Sequence, residues 1–213
     1  MTIRLYDYWR SSACYRVRIA LNLKGLAYEA VDTSLIEGAH RTPDYLAKNP
    51  QGFVPMLEVG GLRLTQSLAI IDWLDATQSG ARLIPADAAA RAQAMAMAYV
   101  IAADIHPVNN LRILKYLEHE LGTGQAARDD WYRHWITEGF GALEAMADPT
   151  KPFLGGDAPN IADVCLVPQI SNANRFNTPM GAFPNLVRID AACNALEAFK
   201  TAHPDAVKPL RRE

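Results

Sequence analysis

The chain has 213 residues, 50% of them hydrophobic, a formal net charge of -2 and three cysteines. That apolar content suffices for one large domain or two small ones, and the near-neutral balance excludes the broad basic surface that nucleic acid or an anionic membrane attracts. Cys14, Cys165 and Cys193 are too few and too scattered for a disulfide framework or a metal site, no leader-like start is seen, and no run reaches the ~18 apolar residues of a membrane span, so a soluble cytoplasmic protein without metal is expected.

Residues 3–8 alternate in polarity and read as a strand. The turn Arg10-Ser11-Ser12-Ala13-Cys14-Tyr15-Arg16 follows, and residues 12–24 predict a helix, with Val17, Ala20 and Leu21 at helical spacing and Gly25 as the stop. Residues 28–34 predict a second strand, and residues 43–48 a short helix capped by Thr42. Asn49-Pro50-Gln51-Gly52 is a turn, residues 54–59 and 62–65 flank Gly60-Gly61 as a hairpin, and residues 67–76 return to helical spacing. The order β-α-β-α-β-β-α puts the first two strands parallel, with the hairpin closing the sheet. Residues 81–87 read as a linker, beyond which strand signals vanish. Residues 88–120 form a long helical stretch broken near Pro107, and residues 126–147 a second helix. Asn160-Ile161-Ala162-Asp163 resembles a capping box and opens a helix ending near Asn174, and a last helix covers 184–200. The expected organisation is an α/β domain over 1–80, a linker over 81–87 and an all-α domain over 88–213.

The turn at Arg10–Arg16 carries the first chemical signal. A helix N-terminus offers unpaired N–H groups and partial positive charge, which suits an anion such as a thiolate. Ser11 and Ser12 either cap the helix or donate to such an anion.

These residues also carry a family resemblance. Ser11-Ser12 with the segment Tyr15-Arg16-Val17-Arg18-Ile19-Ala20-Leu21, Asn49-Pro50-Gln51 with Val54-Pro55, and Gln66-Ser67-Leu68-Ala69-Ile70-Ile71 form its first half. Asp104-Ile105-His106-Pro107 with Asn109-Asn110, Ala162-Asp163-Val164-Cys165-Leu166-Val167-Pro168-Gln169 and Arg175-Phe176 form its second. Together they resemble the zeta class of glutathione transferases, the maleylacetoacetate isomerase family, nearly end to end. The resemblance implies a thioredoxin-like N-terminal domain, an all-α C-terminal domain, a homodimer and glutathione as cofactor. It implies a glutathione-dependent cis–trans isomerisation of a maleyl diketo acid, maleylacetoacetate first and maleylpyruvate as the alternative. A general glutathione transferase or dehalogenase, and a non-catalytic glutathione-binding protein, are the competing readings.

The resemblance also implies roles. Ser11 or Ser12, Ser11 first, would donate to the glutathione sulfur. Lowering a thiol pKa of roughly 8.5 by about two units requires about 2.7 kcal/mol, which a helix N-terminus (~0.3–2 kcal/mol) and a charge-assisted hydrogen bond (~1.5–3 kcal/mol) together supply. Gln66 and Ser67 would hold the γ-glutamyl end, and Ser67 alternatively caps its helix. A cis Val54–Pro55 bond would present the Val54 backbone to the cysteinyl part, with His40 and Gln51 near the glycine end. His106 and Asn110, beside the proline, would bind glutathione or substrate. Arg10, Arg112 and Arg175 would bind the substrate carboxylates, for which the guanidinium fork is suited, although each alone also reads as a surface cation. Asp163 reads as a structural cap outside the site. Many family members carry cysteine where this chain has Ala13, and Cys14 comes one residue later. A helix turns ~100° per residue, so Cys14 reads as packing or rim, and the reactive thiol is expected from glutathione.

Overall fold

The computed structural model describes residues 2–209. The chain divides into two compact units, one made of Met1–Leu83 with Ala195–Glu213, the other of Ile84–Asn194.

The first unit is built on β1 (Ile3–Asp7), α1 (Ser12–Leu23), β2 (Glu29–Asp32), α2 (Pro43–Leu46), β3 (Met56–Val59), β4 (Leu62–Thr65) and α3 (Ser67–Thr77). The sheet order is β2-β1-β3-β4. β1 runs parallel to β2, with Leu5 opposite Ala30, and antiparallel to β3, with Leu5 opposite Leu57. β3 and β4 form the expected hairpin, both residues of Gly60-Gly61 taking positive φ. Leu5, Val17, Ile19, Leu21, Met56, Leu57, Ile70, Ile71 and Leu74 are fully buried in this unit. Their removal from water at about 25 cal/mol per Å² fixes α1 and α3 in place.

Two short helices, α10 (Glu197–Lys200) and α11 (Pro204–Val207), complete the first unit. The single helix expected over 184–200 is therefore corrected: α9 (Pro184–Asn194) stops, and Leu196 turns extended at ψ 135 before α10 begins. The boundaries 88–213 for the helical region are corrected with it, because the chain from Ala195 onward packs with the first unit. The physical reason lies on α1. Short helices leave their last carbonyls without internal partners. Asn22 Nδ2 donates to Ala198 O at 3.0 Å, and Arg18 Nε donates to Ala202 O at 3.0 Å.

The second unit contains α4 (Ala88–Tyr99), a π-helical segment (Val100–Ile105), α5 (His106–Val108), α6 (Leu111–His119), α7 (Gln125–Met146), α8 (Ile161–Arg175) and α9. The first ten residues of α8 are all buried. Its start is the expected capping box, and Asp163 also accepts from Leu154 N at 2.7 Å and Gly155 N at 2.9 Å. The break near Pro107 is present, and the π-helical turn leads into it, with His106 N–H donating to Ile101 O. Gly139 of α7 makes room for that turn, since a Cβ there would stand 2.3 Å from Ile105 Cδ1. No helix among the described residues is long and apolar enough to cross a membrane.

Candidate active site

In the first unit, the turn from β1 to α1 is held from below. Ser11 N donates to Tyr8 O at 2.8 Å. Ser11 is the N-cap of α1, and its Oγ accepts from Cys14 N at 3.3 Å. A capping serine uses a lone pair, so its hydroxyl proton remains able to point at a second acceptor. Ser12 is the first helical residue and is buried. Arg18, wholly buried, pairs with Asp7 Oδ1 at 2.6 Å and donates through Nη2 to Trp9 O at 3.1 Å. Its contact with Ala202 completes a three-way clamp on the turn. Arg10 is exposed, its guanidinium carbon 5.4 Å from the Trp9 ring centroid.

Cys14 is fully buried, so its side chain packs in the core and does not reach a rim. Burial and then the Asp7 charge push its thiol pKa far up, against smaller opposing effects of Ser11 and Arg18. It stays a neutral thiol at physiological pH and is a poor nucleophile.

At the start of α3, Gln66 holds φ at 68, a region that non-glycine residues seldom occupy and that concentrates at functional sites. Gln66 is the N-cap but makes no side-chain cap bond; its Nε2 instead donates to Gln51 Oε1 at 2.9 Å. Ser67, which sequence offered as a cap, is the first helical residue. Its Oγ accepts from Arg16 Nη1 at 3.3 Å, and both side chains are buried. A guanidinium thus backs the helix start that would meet a carboxylate.

The loop between α2 and β3 is organised by Asn49. Its Nδ2 donates to Phe53 O at 2.8 Å and its Oδ1 accepts from Gln51 N at 3.2 Å, while Tyr45 Oη donates to Phe53 O at 2.6 Å. The Val54–Pro55 peptide that follows is cis. His40 sits half-buried in a 3-10 turn (Ala39–Arg41). Gly52, at φ +61, approaches that turn so closely that a Cβ would stand 3.0 Å from His40 O. Gln51 and Gln66 are thereby brought together, with His40 on the neighbouring turn. The donor set of hydroxyls, amides, helix-start N–H groups and a buried cation suits a thiol peptide with terminal carboxylates, and glutathione is such a molecule.

In the second unit, the remaining residues cluster on two segments. His106 opens α5 and is half-buried. Asn110 caps α6, its Oδ1 accepting from Arg112 N at 3.1 Å, so its oxygen has a structural task beside any ligand role. Arg112 is exposed on α6. Arg175 ends α8, exposed, with its guanidinium carbon 5.2 Å from the Phe176 ring centroid.

Comparison with known proteins decides the family. Residues 1–76 match the glutathione S-transferase N-terminal domain. The chain is 51% identical to the maleylacetoacetate isomerase of Rhizobium meliloti, over 96% of this chain and 97% of that one. It is 43% identical to a maleylpyruvate isomerase of Ralstonia sp, over 96% and 98%. The chain belongs to the zeta class of glutathione transferases. Among solved structures, the holo form of a bacterial zeta-class maleylpyruvate isomerase superposes with TM-score 0.94 at 42% identity, covering 96% of this chain and 98% of that one. A maleylacetoacetate isomerase from Methylobacterium extorquens AM1, solved with malonate and GSH bound, superposes with TM-score 0.92 at 40% identity, covering 97% and 98%. The fold class expected from sequence, thioredoxin-like followed by mostly helical, is that of this zeta-class chain. Sequence reasoning assigned no role to Arg16, Arg18 or Asn49. Two arginines two residues apart inside an otherwise apolar stretch of helix were the available signal.

Proposed function

We propose that the chain is a glutathione-dependent cis–trans isomerase acting on a maleyl diketo acid, with maleylacetoacetate the first substrate and maleylpyruvate the second. The observation that carries this reading is the pairing of a serine-capped helix start at Ser11 with a second helix start at Ser67 backed by the buried Arg16. The 51% identical relative supports maleylacetoacetate, and the neighbour at TM-score 0.94 supports maleylpyruvate as the second reading.

When bound, glutathione supplies a thiolate that adds reversibly to the conjugated double bond, which then rotates as a single bond. The protein's share is electrostatic. Ser11 Oγ–H and the N-terminus of α1 stabilise negative charge at the sulfur position, while Arg18 fixes the turn that presents them. Ser67 and Gln66 bind the γ-glutamyl end, the Val54 backbone the cysteinyl part, and His40 and Gln51 the glycine end. His106 and Asn110 contribute further polar contacts to glutathione or substrate. Arg10, Arg112 and Arg175 bind the two carboxylates of the diketo acid and offset charge that develops on its carbonyls. Cys14, a buried neutral thiol, takes no part.

We also propose that the protein works as a homodimer in the cytoplasm. The family resemblance supports the dimer, and three buried cysteines with no framework spacing suit a reducing compartment. Light scattering on the purified chain gives the mass that tests the dimer.

The deciding experiment follows the absorbance of each cis-diketo acid with and without glutathione. Glutathione-dependent isomerisation, faster for maleylacetoacetate, is expected. A glutathione-independent rate, or none with either acid, sinks the reading.

A further inference from the structure

Three consecutive residues of α7 grip two other segments of the helical unit. Trp131 Nε1 donates to Val108 O at 3.0 Å, and Asn109 Nδ2 donates to the Tyr132 carbonyl at 3.0 Å. Both bonds reach the short stretch between His106 and Asn110. In the other direction, the Tyr132 ring lies almost parallel to Phe176, with centroids 3.6 Å apart and planes 11° apart. Arg133 Nη1 donates to Phe176 O at 3.2 Å. Phe176 directly follows Arg175 and carries its guanidinium over the ring. Tyr132 is only 3% exposed; burial pushes its phenol pKa up, and the neighbouring Arg175 guanidinium opposes that push through its charge and as a hydrogen-bond donor.

We propose that Tyr132 is a positioning residue for Arg175, its ring holding the end of α8 and its hydroxyl holding the guanidinium, so that one substrate carboxylate meets an already oriented fork. This rests on the reading of Arg175 as a carboxylate-binding residue. An exposed arginine loses rotamer freedom on binding, and fixing it beforehand strengthens binding without adding a contact to the ligand. The phenol remains protonated and can accept one of the five guanidinium N–H groups, leaving the others for a bidentate carboxylate. The same residue ties Arg175 to the segment that leads into α6 and Arg112. Tyr132 thus acts on the recognition of a dicarboxylate and not on the thiol.

The test is Tyr132→Phe, which keeps the ring and removes the hydroxyl. KM for the maleyl diketo acid should rise about threefold to tenfold, with kcat and the KM for glutathione unchanged within about twofold. In an Arg175→Ala background the same substitution should add nothing, because its effect runs through Arg175. Malonate binding to the glutathione-saturated protein, measured by calorimetry, should weaken in parallel and needs no turnover. Phe176→Leu keeps the hydroxyl and loses the parallel ring, and should raise the diketo acid KM in the same direction. Unchanged substrate KM and malonate affinity in both variants, or a full-size effect of Tyr132→Phe without Arg175, overturns the proposal. Weakened malonate binding in a protein that isomerises neither acid would count against the reaction assigned above while supporting the role of Tyr132.

Discussion

Arg16 reaches from α1 to the first residue of α3, where its Nη1 donates to Ser67 Oγ across 3.3 Å with both side chains buried. The bond places a cation directly behind the hydroxyl assigned to the γ-glutamyl carboxylate. Ser67→Ala should raise the KM for glutathione about tenfold or more, since a hydrogen bond to a charged group contributes ~1.5–3 kcal/mol. Arg16→Met should raise it further, with little change in the KM for the diketo acid. Steady-state kinetics with each substrate varied in turn separate the two; equal losses for both substrates would contradict the assignment.

The serine-capped turn makes a second prediction. Ser11→Ala should lower kcat by about 10- to 100-fold, the equivalent of a lost charge-assisted hydrogen bond. It should also cost about 1 kcal/mol of stability through the lost cap. Ser12→Ala should have the smaller effect on rate, and Cys14→Ala should keep most activity. Ultraviolet titration of the bound glutathione thiol gives the decisive readout: its pKa should rise in Ser11→Ala and stay put in Cys14→Ala.

The Arg18–Asp7 pair predicts a stability effect that depends on pH. Arg18→Met leaves a buried carboxylate without its cation and should destabilise by about 3–5 kcal/mol. Burial already holds the Asp7 pKa above its ordinary value, with Arg18 pulling it down. Without Arg18 the folded protein would bind a proton that the unfolded chain releases, so the variant should lose stability as pH rises from about 4. Denaturant melts of Arg18→Met at pH 5 and pH 8 check this; equal deficits at both would refute it.

Asp190 on α9 gives a second pH effect of the same sign. Burial pushes its carboxyl up to about 6, against a smaller opposing hydrogen bond from Asn194. Its contribution to stability is therefore full below about pH 4 and is lost as pH climbs through about 6, by up to about 3 kcal/mol. Asp190→Asn should raise the melting temperature at pH 8 by several degrees and leave it nearly unchanged at pH 4. A uniform shift at both pH values would be inconsistent with the titration.

Much of the site was legible because its signals are local. Polar residues crowding the Ser11 turn, the glycine-flanked hairpin and the Asn160–Asp163 box are each set by neighbours a few residues away, and each formed. What escaped depends on distant partners. Residues 184–200 carry an unbroken helical pattern, and it breaks because Arg18 and Asn22 on α1 require carbonyls from the far end of the chain. The π-helical turn before His106 leaves the apolar periodicity almost untouched, and only Pro107 marks its end. Tyr132 sits in an aromatic stretch of α7 that resembles ordinary core, and its relation to Arg175 exists only once α7 and α8 are packed.

The clamp around Arg18 also sets an order of events during synthesis. Asp7, Trp9 and Arg18 leave the ribosome together, but Ala202 emerges only after the whole of the intervening helical unit. The first unit therefore cannot finish folding before the second has been translated, although its sheet is made first. A gene severed after Leu83 would yield a fragment whose buried arginine lacks its last acceptor, and the two units cannot be exchanged between relatives as consecutive blocks. Recombination that preserves the turn must carry the C-terminal segment with it.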